Sequence, residues 1–217
     1  MVLTCGIEVV LLIYTVIRYK MTAITRLTAT TLALLALFQL CEFHVCRSGW
    51  VAGTWSRIGF IAITMLPPLG IHIIQNMSKR GWQGLTWVGY IAGATFAGVF
   101  GFSKDAFVGH VCAGNYAIFQ LAPRLGGFYF GYYYLWLFVG IGLSLYFSVK
   151  ARMLIRQALI LQATGFLVFI LPTGIVNDLN PQTISGIPSI MCGFAVLYAL
   201  ILVFAILPRI FEDQKLQ

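Results

Sequence analysis

Seven long runs of apolar residues, separated by short polar stretches, make up most of this chain. Each run is close to the roughly 20 residues that an α-helix needs to cross about 30 Å of hydrocarbon. The pattern therefore predicts an all-α fold, a single integral membrane domain over residues 1–217 that forms a bundle of seven transmembrane helices. The predicted spans are residues 2–17, 27–46, 58–76, 85–102, 128–149, 158–176 and 187–207.

The composition supports this pattern, because 60% of the 217 residues are hydrophobic and only 9% are charged. Such a balance excludes a soluble domain of this length. The formal net charge is +8, which in a soluble chain would suggest nucleic-acid binding. Here the basic residues lie between the apolar runs, where they act as topology signals. We therefore expect membrane lipids as partners, and no nucleic acid.

Lys and Arg are distributed unevenly between the two sides of the predicted bundle. The positive-inside rule places the richer side in the cytoplasm, most simply that of the cell (inner) membrane. The amino terminus is then outside and the carboxyl terminus inside, as an odd number of spans requires. The richer side carries Arg18, Lys20, Arg26, Lys79, Arg80, Lys150, Arg152, Arg156, Arg209 and Lys215, and the other side carries Arg47, Arg57, Lys104 and Arg124.

The second span carries polar side chains near its outer end. At about 100° per residue, Gln39, Glu42 and Cys46 share one helix face, whereas His44 points nearly the opposite way. Glu42 and His44 are therefore not a pair of metal ligands. The first span contributes a second carboxyl at membrane depth, Glu8, and no Lys or Arg lies inside any predicted span.

Two interpretations of these carboxyls stay open. Hydrocarbon disfavours the charged form of a carboxyl, so we expect one or both to be protonated near neutral pH. They form either a proton-accepting or cation-binding site that opens outward, or a structural contact in which a protonated Glu42 hydrogen-bonds Gln39, a threonine or a backbone carbonyl. Glu8 lies only about 10 Å of helix from the chain end, which favours the structural interpretation for that residue.

The third span contains Pro67 and Pro68 near its middle. These prolines remove hydrogen bonds to the carbonyls of Ile63 and Thr64, which then need other partners. Broken helices of this kind line substrate sites in transporters, but they are also ordinary packing kinks. His72, toward the cytoplasmic end, is either a proton carrier or a histidine hydrogen-bonded to a neighbouring helix.

The connection over residues 103–127 is the only one long enough to form a lid over the outer end of the bundle. All five cysteines map to this outer half, where disulfides form if the compartment is oxidising. We predict a disulfide between Cys46 and Cys112 that holds the lid in place. A metal site from Cys46, Cys112, His110 and Glu42 is the alternative, but the sequence has no Cys-x-x-Cys or His-x-x-x-His pair to accompany it.

Several chemistries lack the residues that they need. The last span has no lysine for a retinal Schiff base, and the sequence contains no P-loop, Gly-x-Ser-x-Gly elbow or dinucleotide fingerprint. We therefore expect neither an enzyme nor a cofactor.

Two stretches carry a family resemblance: Gln39-Leu-Cys-Glu42 in span two, and residues 57–68, which end in Pro67-Pro68. With seven spans and an outside amino terminus, the chain resembles the amino-terminal seven-helix sensor module of some bacterial histidine kinases. The resemblance implies sensing. Because no kinase or cyclase domain follows the last span, we expect a partner protein to carry the signal.

The sequence thus favours non-enzymatic binding of a small ligand, lipid or ion in an outward-facing cavity, as in a sensor or receptor. Gln39, Glu42 and Glu8 would line that cavity in part. The main alternative is a small-solute or proton-coupled transporter, which needs a continuous cavity from Glu42 through Thr64, Pro67 and Pro68 to His72. A structural subunit of a membrane complex is the third possibility, and it requires a tightly packed interior.

Overall fold

The computed structural model describes residues 1–47, 52–79, 82–103, 105–113, 116–179 and 187–216. The chain is mostly helical, as apolar segments must be when no water is present to satisfy backbone groups. The helices are α1 (Val2–Arg18), α2 (Ala23–Arg47), α3 (Ala52–Thr64), α4 (Leu66–Ser78), α5 (Gln83–Phe102), α6 (Pro123–Ser148), α7 (Met153–Leu179), α8 (Ile187–Leu200) and α9 (Leu207–Lys215).

Six helical stretches are long and apolar enough to cross a membrane: Ala23–Arg47, Gly53–Ser78, Gln83–Phe102, Pro123–Ser148, Met153–Leu179 and Ile187–Lys215. They correspond to predicted spans two to seven. The predicted first span forms α1, which is shorter at 17 residues. The molecule therefore has the architecture of a multi-pass membrane protein.

The predicted all-α fold is confirmed for most of the chain, but the connection between α5 and α6 contains a β-hairpin. Strands β1 (Phe107–Ala113) and β2 (Tyr116–Leu121) pair antiparallel. Alternate residues of β2 face the bundle, since Ala117 and Phe119 are buried, whereas Val108 of β1 is exposed. The hairpin lies against α2 and α8 and covers that end of the bundle.

The third predicted span is broken, as its two prolines indicate. Helix α3 ends at Thr64, and α4 begins at Leu66 with Pro67 and Pro68 in its first turn. Proline is tolerated there because the first amide groups of a helix have no intrahelical acceptor. The break therefore falls at Met65, where the sequence predicts a kink.

A π-helical turn, Ile201–Ile206, joins α8 to α9 just before Pro208. The amide of Leu207 donates to the carbonyl of Leu202, five residues back. This leaves the carbonyl of Val203 without its usual α-helical donor. The hydroxyl of Tyr19, which follows α1, donates to that carbonyl at 3.0 Å and so ties the end of α1 to the last helix.

The centre of the bundle is packed around one aromatic ring. Phe166 of α7 lies between Gly70 of α4 and Gly140 of α6, and a Cβ atom at either glycine would approach the ring to 2.8 or 2.7 Å. Three helices meet here because these positions lack side chains, which is how transmembrane helices commonly approach closely. The core therefore leaves little free space between the two ends of the bundle.

Candidate functional site

Glu8, Gln39 and Glu42 are all buried inside the end of the bundle that the hairpin covers. Their exposed fractions are 0%, 2% and 1%, respectively. A short turn joins α1 to α2, and the two helices pack together, so Glu8 lies beside the helix that carries the other two. The prediction that Gln39 and Glu42 face the bundle interior is confirmed.

The two carboxyls lie within electrostatic range of each other, and the amino group of Met1 is within range of both. Glu42 is hydrogen-bonded to the hydroxyl of Ser189 in α8. Among the described residues, no hydrogen-bond partner is found for either oxygen of Glu8, for Oε1 of Glu42 or for Nε2 of Gln39. Three of the four carboxyl oxygens are thus buried without a partner, which is costly unless something else binds them.

Three thiols surround the carboxyls, but they do not form a metal centre with them. Cys5 lies near Glu8 and its thiol donates to the carbonyl of Ala36 at 3.5 Å, and Cys41 and Cys192 are buried near Glu42. Within the described ranges, no three His, Cys, Asp or Glu side chains converge as metal ligands would. The available donors are oxygen atoms, which suit a proton or a hard cation.

The predicted disulfide between Cys46 and Cys112 is confirmed, with 5.7 Å between the two Cα atoms. It joins the carboxyl-terminal end of α2 to β1 and so fixes the hairpin at the end of the bundle that holds the carboxyls. The alternative metal site from these two cysteines is thereby excluded, because both sulfur atoms are in the covalent bond. His44, which faces away from Glu42, stacks on Trp55 with 4.3 Å between ring centroids.

Ser189 connects the hairpin to the buried carboxyls. The amide of Ala117 in β2 donates to the Ser189 hydroxyl oxygen at 3.1 Å, while the same hydroxyl is bonded to Glu42. Sequence reasoning missed this residue, because a serine one turn inside an apolar helix is common. The available signal was its position near the start of the seventh predicted span, which lies at the same end of the bundle as Glu42 near the end of the second.

Thr64 lies in a different place, at the break between α3 and α4. Its hydroxyl donates to the carbonyl of Phe60 and contacts the hydroxyl of Tyr129 at 3.1 Å. The Thr64 carbonyl, which Pro68 deprives of its helical donor, accepts a hydrogen bond from Tyr132 at 2.9 Å. The predicted need for another partner is therefore confirmed, and α6 supplies it through tyrosines that the sequence did not single out. Pro67 and Pro68 are buried beside them.

His72 is not brought together with the carboxyls. It lies toward the other end of the bundle, in a cleft between α4 and α5 of about 550 Å³, where its Nδ1 is 3.0 Å from the hydroxyl of Tyr90. Two cavities nearer the carboxyls have volumes of only about 30 and 10 Å³, and both are lined by Tyr133, Met191 and Cys192. None of these three spaces is lined by Glu8, Gln39 or Glu42.

The structure thus separates the predicted site residues into three groups. Glu8, Gln39 and Glu42 form a buried polar cluster with Ser189, which we call the carboxyl cluster. Thr64 and the two prolines form a closed helix break, and His72 lines the cleft at the other end. No protein-family model matches this chain, and a comparison with curated proteins finds none that is similar in sequence.

Proposed function

We propose that this chain is a non-enzymatic membrane protein that binds a proton or a small cation at its carboxyl cluster, in the manner of a sensor or receptor. In this proposal the bundle has seven spans with the amino terminus outside, so the cluster lies in the outer half of the membrane. One observation carries the proposal: Glu8 and Glu42 are both buried within electrostatic range of each other, and three of their four oxygens have no partner among the described residues.

Electrostatics restricts what the cluster can hold. A charged carboxylate at membrane depth costs on the order of 3 kcal/mol on insertion scales, and two neighbouring carboxylates also repel each other. The predicted spans contain no Lys or Arg to neutralise them. The amino group of Met1 is one cation within range. A proton shared by the pair, or a cation held between their oxygens, would remove the remaining charge.

Ser189 offers a route from binding to a structural response. Its hydroxyl is bonded both to Glu42 and to the backbone of the hairpin. A change in the charge of Glu42 alters the strength of the hydrogen bond between Ser189 and Glu42, because hydrogen bonds to ionised groups are roughly twice as strong as those between neutral groups. The hairpin would sense the change, and a partner protein, as the resemblance to sensor modules implies, would carry it further.

A proton-coupled transporter is the second candidate, favoured by the cleft at the opposite end and by the helix break between the two ends. Transport requires a route that connects the carboxyl cluster to His72. Phe166 fills the centre between Gly70 and Gly140, and Tyr132 satisfies the free carbonyl at the break. These contacts favour binding at one end over passage through the bundle.

The experiment measures thermal unfolding of the purified protein in detergent across pH, in choline chloride and in sodium chloride. The carboxyl cluster of the folded protein holds a proton that the unfolded chain releases. The midpoint temperature of unfolding should therefore fall as the pH rises in choline chloride. In sodium chloride, a sodium ion bound at the cluster should make the fall in midpoint temperature smaller. Glu42→Gln keeps the shape but fixes a neutral side chain, so it should remove the cation effect and weaken the pH dependence to the part that Glu8 alone contributes.

Glu212→Gln is the matched control, because Glu212 is exposed in α9 and far from the cluster. It should behave like the wild type. If Glu42→Gln retains the pH dependence and the cation effect of the wild type, Glu42 is a structural residue and the proposal fails.

A further inference from the structure

The cleft between α4 and α5 is a polar cavity that the carboxyl cluster does not use. Its volume of about 550 Å³ is within the range of small-molecule sites. It lies at the end of the bundle that carries most of the Lys and Arg residues. The lining side chains include His72, Gln75, Asn76, Lys79, Gln83 and Tyr90.

Hydrogen bonds hold the walls of this cleft in place. The carboxamide of Gln75 accepts a bond from the Thr86 hydroxyl and donates to the carbonyl of Trp82 at 3.1 Å, which ties α4 to the start of α5. His72 meets Tyr90 across the cleft, and Asn76 donates to the His72 carbonyl at 2.9 Å. The cleft is therefore a built cavity with fixed hydrogen-bonding groups.

Some of these groups remain available for a ligand. Within the described residues, Nδ1 of His72 and the side-chain Nδ2 of Asn76 form hydrogen bonds. Among the same residues, Nε2 of His72 and Oδ1 of Asn76 do not. Gln83 is exposed at the mouth. Donors and acceptors at this depth need water or polar ligand groups as partners, because hydrocarbon offers none.

Lys79 places a positive charge at the rim of the cleft. It ends α4 in a left-handed conformation, with φ 51°, at a position where helices usually carry glycine. It also lines a neighbouring cavity of about 240 Å³ together with Lys150, Arg152 and Asp213. Among the described lining residues the cleft itself has one cation, Lys79, and in the neighbouring cavity the three basic residues outnumber Asp213, so this end of the bundle attracts an anion such as a phosphate diester.

The surface of α5 that faces away from the bundle continues the cleft as an apolar wall. Trp87 lines the cleft and is 66% exposed, and Val88 and Ile91 are exposed beside it. From Lys79 to His72 the cleft extends for seven residues, about 10 Å of helix, which spans the headgroup region of one leaflet, about 5 to 7 Å, and reaches the start of the acyl chains. A polar pocket at headgroup depth with an apolar wall fits an amphiphile.

From these features we infer that the cleft binds the headgroup of an anionic glycerophospholipid. Lys79 contacts the phosphate, the amide, imidazole and phenol groups bind the hydroxyl and ester oxygens within the cleft, and an acyl chain lies along Trp87 and Ile91. The site is independent of the carboxyl cluster, which lies at the other end of the bundle.

Native mass spectrometry of the full-length protein in detergent tests this inference. The protein is titrated with phosphatidylglycerol and with phosphatidylcholine that carry the same acyl chains. We expect one phosphatidylglycerol to be retained in preference to phosphatidylcholine. Lys79→Gln should weaken its retention about fivefold, the effect of one lysine on an anionic lipid. Asn76→Leu should also weaken it without changing any charge.

Lys20→Gln is the control for general attraction between basic residues and anionic lipid, because Lys20 is exposed at the same end of the bundle. It should leave retention unchanged. Equal losses with Lys20→Gln and Lys79→Gln, or no loss with Asn76→Leu, would overturn the site. Binding of soluble glycerol 3-phosphate as tight as that of the lipid would show that the ligand comes from solution, and would overturn its assignment as a lipid.

Discussion

Single side chains connect parts of this molecule that are far apart in sequence. Ser189 is the clearest case, because its one hydroxyl is bonded to Glu42 of α2 and to the amide of Ala117 in the hairpin. Tyr132 acts similarly at the helix break, and Tyr19 at the π-helical turn. In each case a polar group that would otherwise be buried without a partner is satisfied, which is where polar side chains contribute most inside a membrane protein.

Replacing Ser189 by alanine should therefore loosen the hairpin. The change leaves the Ala117 amide and the Glu42 carboxyl without this partner, so we expect a loss of about 1 to 3 kcal/mol in unfolding free energy. Hydrogen exchange at the Ala117 amide should become faster. Ser148→Ala is the control, because among the described residues the Ser148 hydroxyl bonds within its own helix, to the carbonyl of Leu145 at 2.7 Å. Unchanged exchange at Ala117 would contradict the coupling.

At the scale of helices and strands, close approach depends on positions without side chains. Gly70 and Gly140 admit the Phe166 ring, and Gly89 and Gly93 of α5 admit Pro68 and Tyr132. These glycines allow the broken span to pack against α5, α6 and α7 despite the kink. The packing explains why the two cavities described near Tyr133 and Met191 have volumes of only about 30 and 10 Å³.

Gly140→Ala should destabilise the bundle, because the new methyl group would lie 2.7 Å from the Phe166 ring, which Gly70 confines on the other side. Overpacking of this kind costs about 1 to 3 kcal/mol. Gly142→Ala, two residues along the same helix, meets nothing within 4 Å and should leave stability equal or higher, since alanine favours the helix. Thermal unfolding of the two variants should separate them, and equal midpoints would show that the ring can move aside.

The helices could be predicted from the sequence better than the contacts between them. Apolar runs gave the helical segments, and 100° spacing correctly placed Gln39 and Glu42 on an inward face. The hairpin was missed, because Gly109, His110 and Cys112 interrupt the apolar alternation of β1. Ser189 and Tyr132 were missed for another reason, since their partners lie on helices distant in sequence and no local pattern marks such pairs.

For the whole molecule, the distribution of charge gives the orientation that we propose. Ten of the fourteen Lys and Arg residues belong to the connections on one side. The structure places the hairpin and the carboxyl cluster at one end and the cleft with Lys79 at the other. In this orientation the proposed cation site faces outward and the proposed lipid site contacts the inner leaflet.

Labelling of intact cells with a membrane-impermeant maleimide tests the orientation. A cysteine at Arg124→Cys should react, because residue 124 follows the hairpin on the outer side. One at Arg152→Cys should react only after the membrane is permeabilised. The unsubstituted protein gives the background from its own free cysteines. Labelling of Arg152→Cys in intact cells would reverse the topology and place the carboxyl cluster on the cytoplasmic side.

The disulfide restricts how the chain between its two cysteines threads the bilayer. Cys46 and Cys112 are 66 positions apart in the sequence, and the chain between them includes α3, α4 and α5. A covalent bond cannot join sulfur atoms on opposite sides of about 30 Å of hydrocarbon, so the intervening chain must cross the membrane an even number of times. If α3, α4 and α5 each crossed the membrane separately, the chain between the cysteines would make three crossings, which is an odd number. The bond therefore agrees with the single candidate span Gly53–Ser78, in which α3 and α4 share one crossing and the break at Met65 is an interruption within a span and not a loop at the membrane surface.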